Sequence, residues 1–226
     1  MRFKFHHRDK WTCANLDLVE ESLEKHPKAI VLVGGASSSG KSYSAQTLKS
    51  FLEQNGHHAV IISLDQYNFG LSGIIPNKVN ENLFHGELPN RPEIRSRIKK
   101  IIYDVPFDEK YRPEQIQKIR GSIHNLVDPS ILDKFLQGLY DEWKVLNFDE
   151  PTVYDLASAA NDVKELYKNG TILEKKYSKV ISEQIPNDSV IDGKQCDVIL
   201  VEGIYALSKG MLLNLSGYDY ITDFID

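Results

Sequence analysis

Gly35-Ala36-Ser37-Ser38-Ser39-Gly40-Lys41-Ser42 reads G-x-x-x-x-G-K-S, and the residues on either side decide what it is. Just before it runs Ala29-Ile30-Val31-Leu32-Val33, short, apolar and largely β-branched, as a strand buried on both faces must be. Just after it, Ala45, Leu48, Phe51 and Leu52 recur at helical spacing until Asn55-Gly56 stops the run. Strand, glycine-rich loop, helix is the order in which such a loop wraps a phosphate. Gly35 and Gly40 admit backbone conformations closed to other residues and let the chain approach an anion closely. Successive N–H groups then converge at a helix N-terminus, whose dipole also favours negative charge. In this geometry Lys41 reaches the terminal phosphates of a nucleotide and the Ser42 hydroxyl ligates Mg2+. Ala36, Ser37, Ser38 and Ser39 complete the cradle. Tyr43 stands at its edge and reads, with Ser44, as a first-turn residue.

Composition narrows the setting. A chain of 226 residues can build one α/β domain with a sizeable core and an insertion. A net charge of −5 and a pI near 5.8 speak against a nucleic-acid-binding surface. Arg91, Arg95, Arg97, Lys99 and Lys100 are interleaved with apolar positions and read as a solvated helix face. Cys13 and Cys196 lie far apart and suggest neither a disulfide framework nor a metal site. No signal peptide precedes residue 30 and no apolar run reaches membrane-spanning length. The expectation is a soluble, cytoplasmic protein with no membrane or nucleic-acid partner, free to form homo-oligomers.

Other segments extend the pattern. Residues 12–26 carry Leu16, Val19 and Leu23 at helical spacing, with Asn15 expected as the cap and Pro27 as the stop. Ala59-Val60-Ile61-Ile62-Ser63-Leu64 predicts a second buried strand, ending in Asp65. Asp197-Val198-Ile199-Leu200-Val201 predicts a third, ending in Glu202-Gly203, and residues 220–225 a fourth. Strands alternating with helices predict a doubly wound parallel sheet of the P-loop NTPase type. Ligands of such sheets bind beyond the carboxyl ends of the strands, where the loop, Asp65 and Glu202 all fall. A carboxylate at the Asp65 position, facing a bound γ-phosphate, can orient and deprotonate a hydroxyl nucleophile.

Residues 70–147 have another texture. Pro76, Pro89, Pro92, Pro106, Pro113 and Pro129 punctuate amphipathic stretches at 93–103, 113–125 and 130–146. The apolar content is too high for disorder, so the stretch predicts a helical insertion. The expected organisation is a core of residues 1–69 and 148–226 interrupted by the insertion at 70–147.

Four segments together resemble the uridine kinase and phosphoribulokinase family of P-loop kinases. Gly34 through Ser42 looks like that family's loop, and Ser63-Leu64-Asp65-Gln66-Tyr67 is similar to its strand-two motif. Asn147-Phe148-Asp149-Glu150-Pro151-Thr152-Val153-Tyr154-Asp155 resembles its F-D-x-P-x-x-x-D signature. Asp197 through Leu207 looks like its V-x-x-E-G-I segment. The resemblance covers roughly residues 28–68 and 147–226. It implies an ATP- and Mg2+-dependent kinase acting on a small-molecule hydroxyl, in the first place that of a nucleoside. It further implies that Asp65 is the base and sits near the metal, with Glu202 completing the Mg2+ site. Phe148 and Asp149 would hold the acceptor's sugar, and Tyr67 and Tyr177 would line its pocket. The reading of Asp149 as a capping aspartate for the helix containing Val153, Leu156, Val163 and Leu166 stands beside its sugar-binding role.

Departures from the family pattern mark where the acceptor could differ. After Tyr177, Lys179 and Ser182 stand where uridine kinases carry an aromatic residue and a histidine. The family continues past the position of Asp226 into an arginine-rich lid, so the expectation is a core lacking that lid. The alternatives carried are a relative acting on pantothenate or a sugar phosphate, and a nucleotide-binding regulator without turnover. A GTPase is disfavoured, since no N-K-x-D segment follows the third strand.

Overall fold

The computed structural model describes residues 7–86, 92–104 and 112–225; Pro89, Arg91, Pro106 and Asp226 lie outside that set. In chain order the elements begin with α1 (His7–Lys25), β1 (Ala29–Gly35), α2 (Lys41–Gln54) and β2 (Ala59–Ser63). Then come α3 (Leu71–Phe84), α4 (Pro92–Asp104), α5 (Arg112–Ile123) and α6 (Pro129–Val145). The chain continues with α7 (Leu156–Tyr167), β3 (Thr171–Leu173), β4 (Lys176–Ser178), β5 (Glu183–Ile185) and β6 (Val190–Asp192). It closes with β7 (Val198–Glu202), α8 (Lys209–Asn214) and β8 (Ile221–Ile225). No described helix is long and apolar enough to cross a membrane.

The four predicted strands form one sheet in the order β2-β7-β1-β8, every neighbouring pair parallel. Every residue of β1 and β7 is buried, which is why Ala29–Val33 and Val198–Val201 are apolar runs rather than alternating ones, with Glu202 the one charged residue of the two strands. One face of β1, Ala29, Val31 and Val33, packs with Val19 of α1 and Leu48 and Leu52 of α2. The other, Ile30 and Leu32, packs with Ala159, Ala160, Val163 and Leu166 of α7 and Met211 of α8. Helices on both faces make the sheet doubly wound. The register aligns one row of residues near the carboxyl ends of the strands: Ser63 of β2 lies beside Glu202 of β7, Glu202 beside Val33 of β1, and Val33 beside Asp223 of β8.

The chain divides into two compact units, one of Met1–Tyr67, Tyr154–Lys175 and Asn187–Asp226, the other of Asn68–Val153 and Lys176–Pro186. The first holds the sheet. The second holds α3 to α6 around Leu71, Ile75, Val79, Ile119, Phe135, Leu139 and Trp143, together with the antiparallel pair β4 and β5. Its boundaries differ from 70–147, because residues 68–69, 148–153 and 176–186 group with that stretch. Buried hydrogen bonds explain the last segment. Glu183, fully buried, accepts from Ser72 N at 2.5 Å and from Ser72 Oγ at 3.0 Å, and Leu71 N donates to Ser182 O at 2.9 Å. The first turn of α3 is thus capped from a point 111 residues away. Burial pushes the Glu183 carboxyl above its ordinary pKa, against the opposing pull of the Ser72 bonds and of Lys99.

Helices α4, α5 and α6 occupy the three predicted stretches, but the structure corrects two local expectations. Asn15 does not cap α1: it lies inside the helix and donates to Trp11 O at 3.0 Å and to Asp223 Oδ2 at 2.6 Å. The helix starts at least two turns earlier than the apolar spacing suggested. Pro76 does not punctuate: it lies within α3 and removes the N–H that would bond the Ser72 carbonyl. That loss, about 3 kcal/mol in a helix interior, is offset by burying Leu71, Ile74, Ile75 and Val79, at roughly 1.5–3 kcal/mol each. Leu71 through Pro76 are all buried, so α3 shows no polar stripe to betray it.

Candidate functional site

The loop between β1 and α2 does what its sequence predicts of the main chain. β1 ends at Gly35 and α2 begins at Lys41. Gly40, the residue before the helix, adopts φ 93°, a left-handed conformation that a side chain disfavours. Ser38 is left-handed as well, at φ 63°. Ser39 N donates to Ala36 O at 3.2 Å, and Ser44 N closes the first helical bond to Gly40 O at 2.9 Å. No side chain caps α2, and its first turn carries no acidic residue. The N-terminus of this 14-residue helix thus has no capping side chain and no acidic residue of its own first turn, which suits an anion. Ala36, Ser37 and Ser38 are exposed and Ser39 is half-buried. Lys41 is only 7% exposed, and its Nζ donates to Ala36 O across the loop it would serve. Tyr43 is exposed on the outer side of the first turn.

Glu202 is the last residue of β7 rather than the first beyond it, and it is buried. Its row mate Val33 faces α1 and α2, so Glu202 faces the same side, beneath the start of α2. There Ser42 Oγ donates to Glu202 Oε2 at 3.1 Å. On the other flank of β7, Ser63 pairs with Glu202, and two residues on, Asp65 sits half-buried in a 3-10 turn, Leu64–Tyr67. A close approach joins the two strand ends. A Cβ on Gly203 would lie 2.6 Å from Leu64 Cβ, so only glycine lets β7 pass the Asp65 turn. The loop, Glu202 and Asp65 thus share one edge of the sheet.

Solved structures similar to this chain include three kinase-like or unassigned proteins. One, described as a "putative fructose transport system kinase" from Silicibacter sp. TM1040, is 15% identical over 88% of this chain and 69% of its own, with a TM-score of 0.47. The YGR205w protein is 14% identical over 88% of this chain and 53% of its own, with a TM-score of 0.49, so this chain spans about half its length. A "possible uridine kinase" from Bacillus stearothermophilus is 10% identical over 94% of this chain and 79% of its own, with a TM-score of 0.48. No protein-family model matches the chain, and no curated protein does. Function is therefore read from the site itself.

The oxygen donors at the site suit the expected Mg2+. Among the described residues no three His, Cys, Asp or Glu side chains gather closely enough to hold a metal. A hydroxyl and a carboxylate bonded to each other are what remains, and that suits Mg2+, which keeps several waters and takes phosphate oxygens. The donor set fits the ion.

The residues expected around an acceptor fall on both units. Phe148 and Asp149 belong to the second unit, where Phe148 packs half-buried against the helical core and Asp149 is exposed, its N–H donating to Asn147 Oδ1 at 3.0 Å. Asp149 does not cap the following helix: Asp155 does, accepting from Ser158 N at 2.9 Å. Pro151–Val153 form a separate 3-10 turn, so the helix starts only at Leu156. Tyr177, half-buried on β4, pairs across to Gln184 of β5. Tyr67 is 2% exposed in the sheet core, and its hydroxyl donates to Asp162 Oδ2 at 2.8 Å.

Asp162 and Lys175 carried no motif in the sequence, and Gly203 appeared there only as part of the segment that follows the third strand. Asp162 follows the capping Asp155 by seven residues, two helical turns, and that shared face was its one local signal.

Proposed function

We propose that this protein is an ATP- and Mg2+-dependent kinase that transfers the γ-phosphoryl group to a hydroxyl of a small ribose-bearing molecule, a nucleoside before other acceptors. The observation that carries the reading is the hydrogen bond from Ser42 Oγ to Glu202 Oε2 at 3.1 Å. It ties the hydroxyl of a phosphate-binding loop to a strand-end carboxylate, on the sheet edge that also bears Asp65.

The chain's own residues divide the work. The amides of residues 35–42 hold the phosphates, and Lys41 places positive charge against the β- and γ-phosphates. Ser42 and Glu202, with Asp65 nearby, would hold Mg2+, which when bound would neutralise charge on the transferring group. As the acceptor oxygen forms its bond to the γ-phosphorus, Asp65 takes the hydroxyl proton. The bond from the γ-phosphorus to the β,γ-bridging oxygen breaks, and that oxygen leaves with ADP. Positioning and preorganised charge supply the rate, with no covalent enzyme intermediate. The resemblance of residues 147–155 is what supports Phe148 and Asp149 as sugar contacts, and Tyr177 as pocket wall comes from the same source.

A panel of nucleosides and sugars, assayed for acceptor-dependent ADP release, tests the reading. Release is expected with at least one ribose-bearing acceptor. The Asp65→Asn variant should bind ATP normally and lose transfer by roughly 10²–10⁴-fold. ATP binding without release across the whole panel would leave a nucleotide-binding regulator instead.

A further inference from the structure

The 3-10 turn that carries Asp65 is four residues long, and such turns have poor internal hydrogen-bond geometry. Left alone it could not hold a carboxylate in one place. Its surroundings do so at three points. Leu64, 1% exposed, is pinned under Gly203. At the other end Tyr67 is gripped twice by α7: Asp155 N donates to Tyr67 O at 2.9 Å, and Tyr67 Oη donates to Asp162 Oδ2 at 2.8 Å. Asp155 and Asp162 lie two turns apart on one helix face, so main chain and side chain of Tyr67 bind the same stripe.

Lys175 completes the arrangement. Its Nζ donates to Asp162 Oδ2 at 2.5 Å and to Ser158 Oγ at 3.3 Å, and lies 4.4 Å from the centroid of the Tyr67 ring. A phenylalanine at position 67 would pack equally well. A core built only for stability has no need of a hydroxyl on that ring, held here by a half-buried ion pair. What the polar set adds is direction: one donor, one acceptor and one cation over the ring fix the rotation of Tyr67, and with it the turn. Burial, then the charge of Asp162, push the phenol well above its ordinary pKa, so it stays a neutral donor.

We infer that Lys175, Asp162 and Tyr67 form a clamp that orients the Asp65 turn, and that all three are positioning residues of the proposed phosphoryl transfer. The inference rests on the reading of Asp65 as the base. It commits Tyr67 to the scaffold of the site rather than to contact with an acceptor.

The test compares Tyr67→Phe, Asp162→Asn, Lys175→Met and Lys175→Arg with Asp65→Asn in the full chain. Two quantities are read: amide hydrogen exchange of the 64–67 segment, and kcat against nucleotide KM with the best acceptor of the panel. Tyr67→Phe and Lys175→Met should speed exchange at 64–67 by roughly fivefold, the loss of about one hydrogen bond, while β1 and β7 stay protected. They should lower kcat by roughly ten- to a hundredfold at nearly constant nucleotide KM, and Lys175→Arg should restore most of it. Wild-type exchange at 64–67 in both variants overturns the clamp, as does exchange that rises equally throughout the sheet. Because exchange is read without an acceptor, the clamp is decided even if no substrate turns over. Normal transfer by Asp65→Asn would instead sink the base assignment.

Discussion

Ser42 Oγ and Glu202 Oε2 meet at 3.1 Å although 160 residues of sequence separate them. One stands in the first turn of α2 and the other closes β7, so the bond crosses the seam where helix N-terminus and sheet edge converge. A carboxylate at that seam is costly unless something positive or a donor answers it. Ser42 is a partial answer, and a divalent cation between the two oxygens would be a complete one. Ser42→Ala should therefore leave the fold intact yet raise the Mg2+ concentration for half-maximal ATP-dependent stabilisation by roughly tenfold or more. A Mg2+ titration followed by thermal melting checks this.

Lys41 is nearly buried although it is a lysine, and its ammonium is turned onto the Ala36 carbonyl of its own loop. On the proposed function it serves the phosphates of the nucleotide. ATP at a hundred times its Kd should add about 2.7 kcal/mol of stability to the native protein, a rise in Tm of roughly 5–10 °C for a chain of this size. Lys41→Ala should abolish most of that rise while melting normally without nucleotide. Differential scanning calorimetry with and without Mg-ATP measures both.

Gly203 lets two strand ends touch. A methyl group there would sit 2.6 Å from Leu64 Cβ, inside any tolerable contact, and Cβ cannot swing away as a side-chain tip could. Gly203→Ala should destabilise by about 1–3 kcal/mol. Transfer should suffer more than ATP affinity, since the displaced segment carries Asp65 and not the loop. Chemical denaturation paired with ATP binding separates the two effects.

Glu183 binds its proton more tightly in the folded protein than in the unfolded chain, because burial raises its carboxyl above the ordinary 4.5. The native state then holds more protons than the unfolded one over that interval, so stability falls as pH rises. The contribution is fully present below the unfolded value and is lost as pH climbs through the folded one. Glu183→Gln keeps an acceptor for Ser72 N and stays neutral, so its stability should be flatter across that window and match or exceed wild type at its upper end. Glu183→Ala strands the α3 N-terminus and should cost about 1–3 kcal/mol at every pH. Urea midpoints from acid to neutral pH distinguish the three proteins.

Cysteine chemistry follows the same logic of burial. Cys196 is buried and its thiol is pushed upward by desolvation, while Cys13 is half-buried. Under native conditions a thiol reagent should modify Cys13 first, and Cys196 only on unfolding.

The sheet was legible because its signals are local. A run such as Ala29–Val33 must be buried on both faces, and a glycine at position 40 permits the left-handed turn observed there. Main-chain geometry over five to ten residues is written in residue type. The same locality explains the misreadings. Asn15 has the chemistry of a cap but lies mid-helix, because Asp223 on a distant strand engages it. Helix α3 has no amphipathic stripe because it is buried nearly all round where it begins.

By itself the sequence determined a glycine-rich loop between strand and helix, the strands that flank it and the edge on which Asp65 and Glu202 fall. Only the tertiary structure decided which side chains meet: Ser42 with Glu202, Tyr67 with Asp162, Ser72 with Glu183. The reason is physical. Backbone preference is set by a residue and its neighbours, whereas a hydrogen bond spanning a hundred residues exists only once burial has brought both partners out of water and left each no better answer.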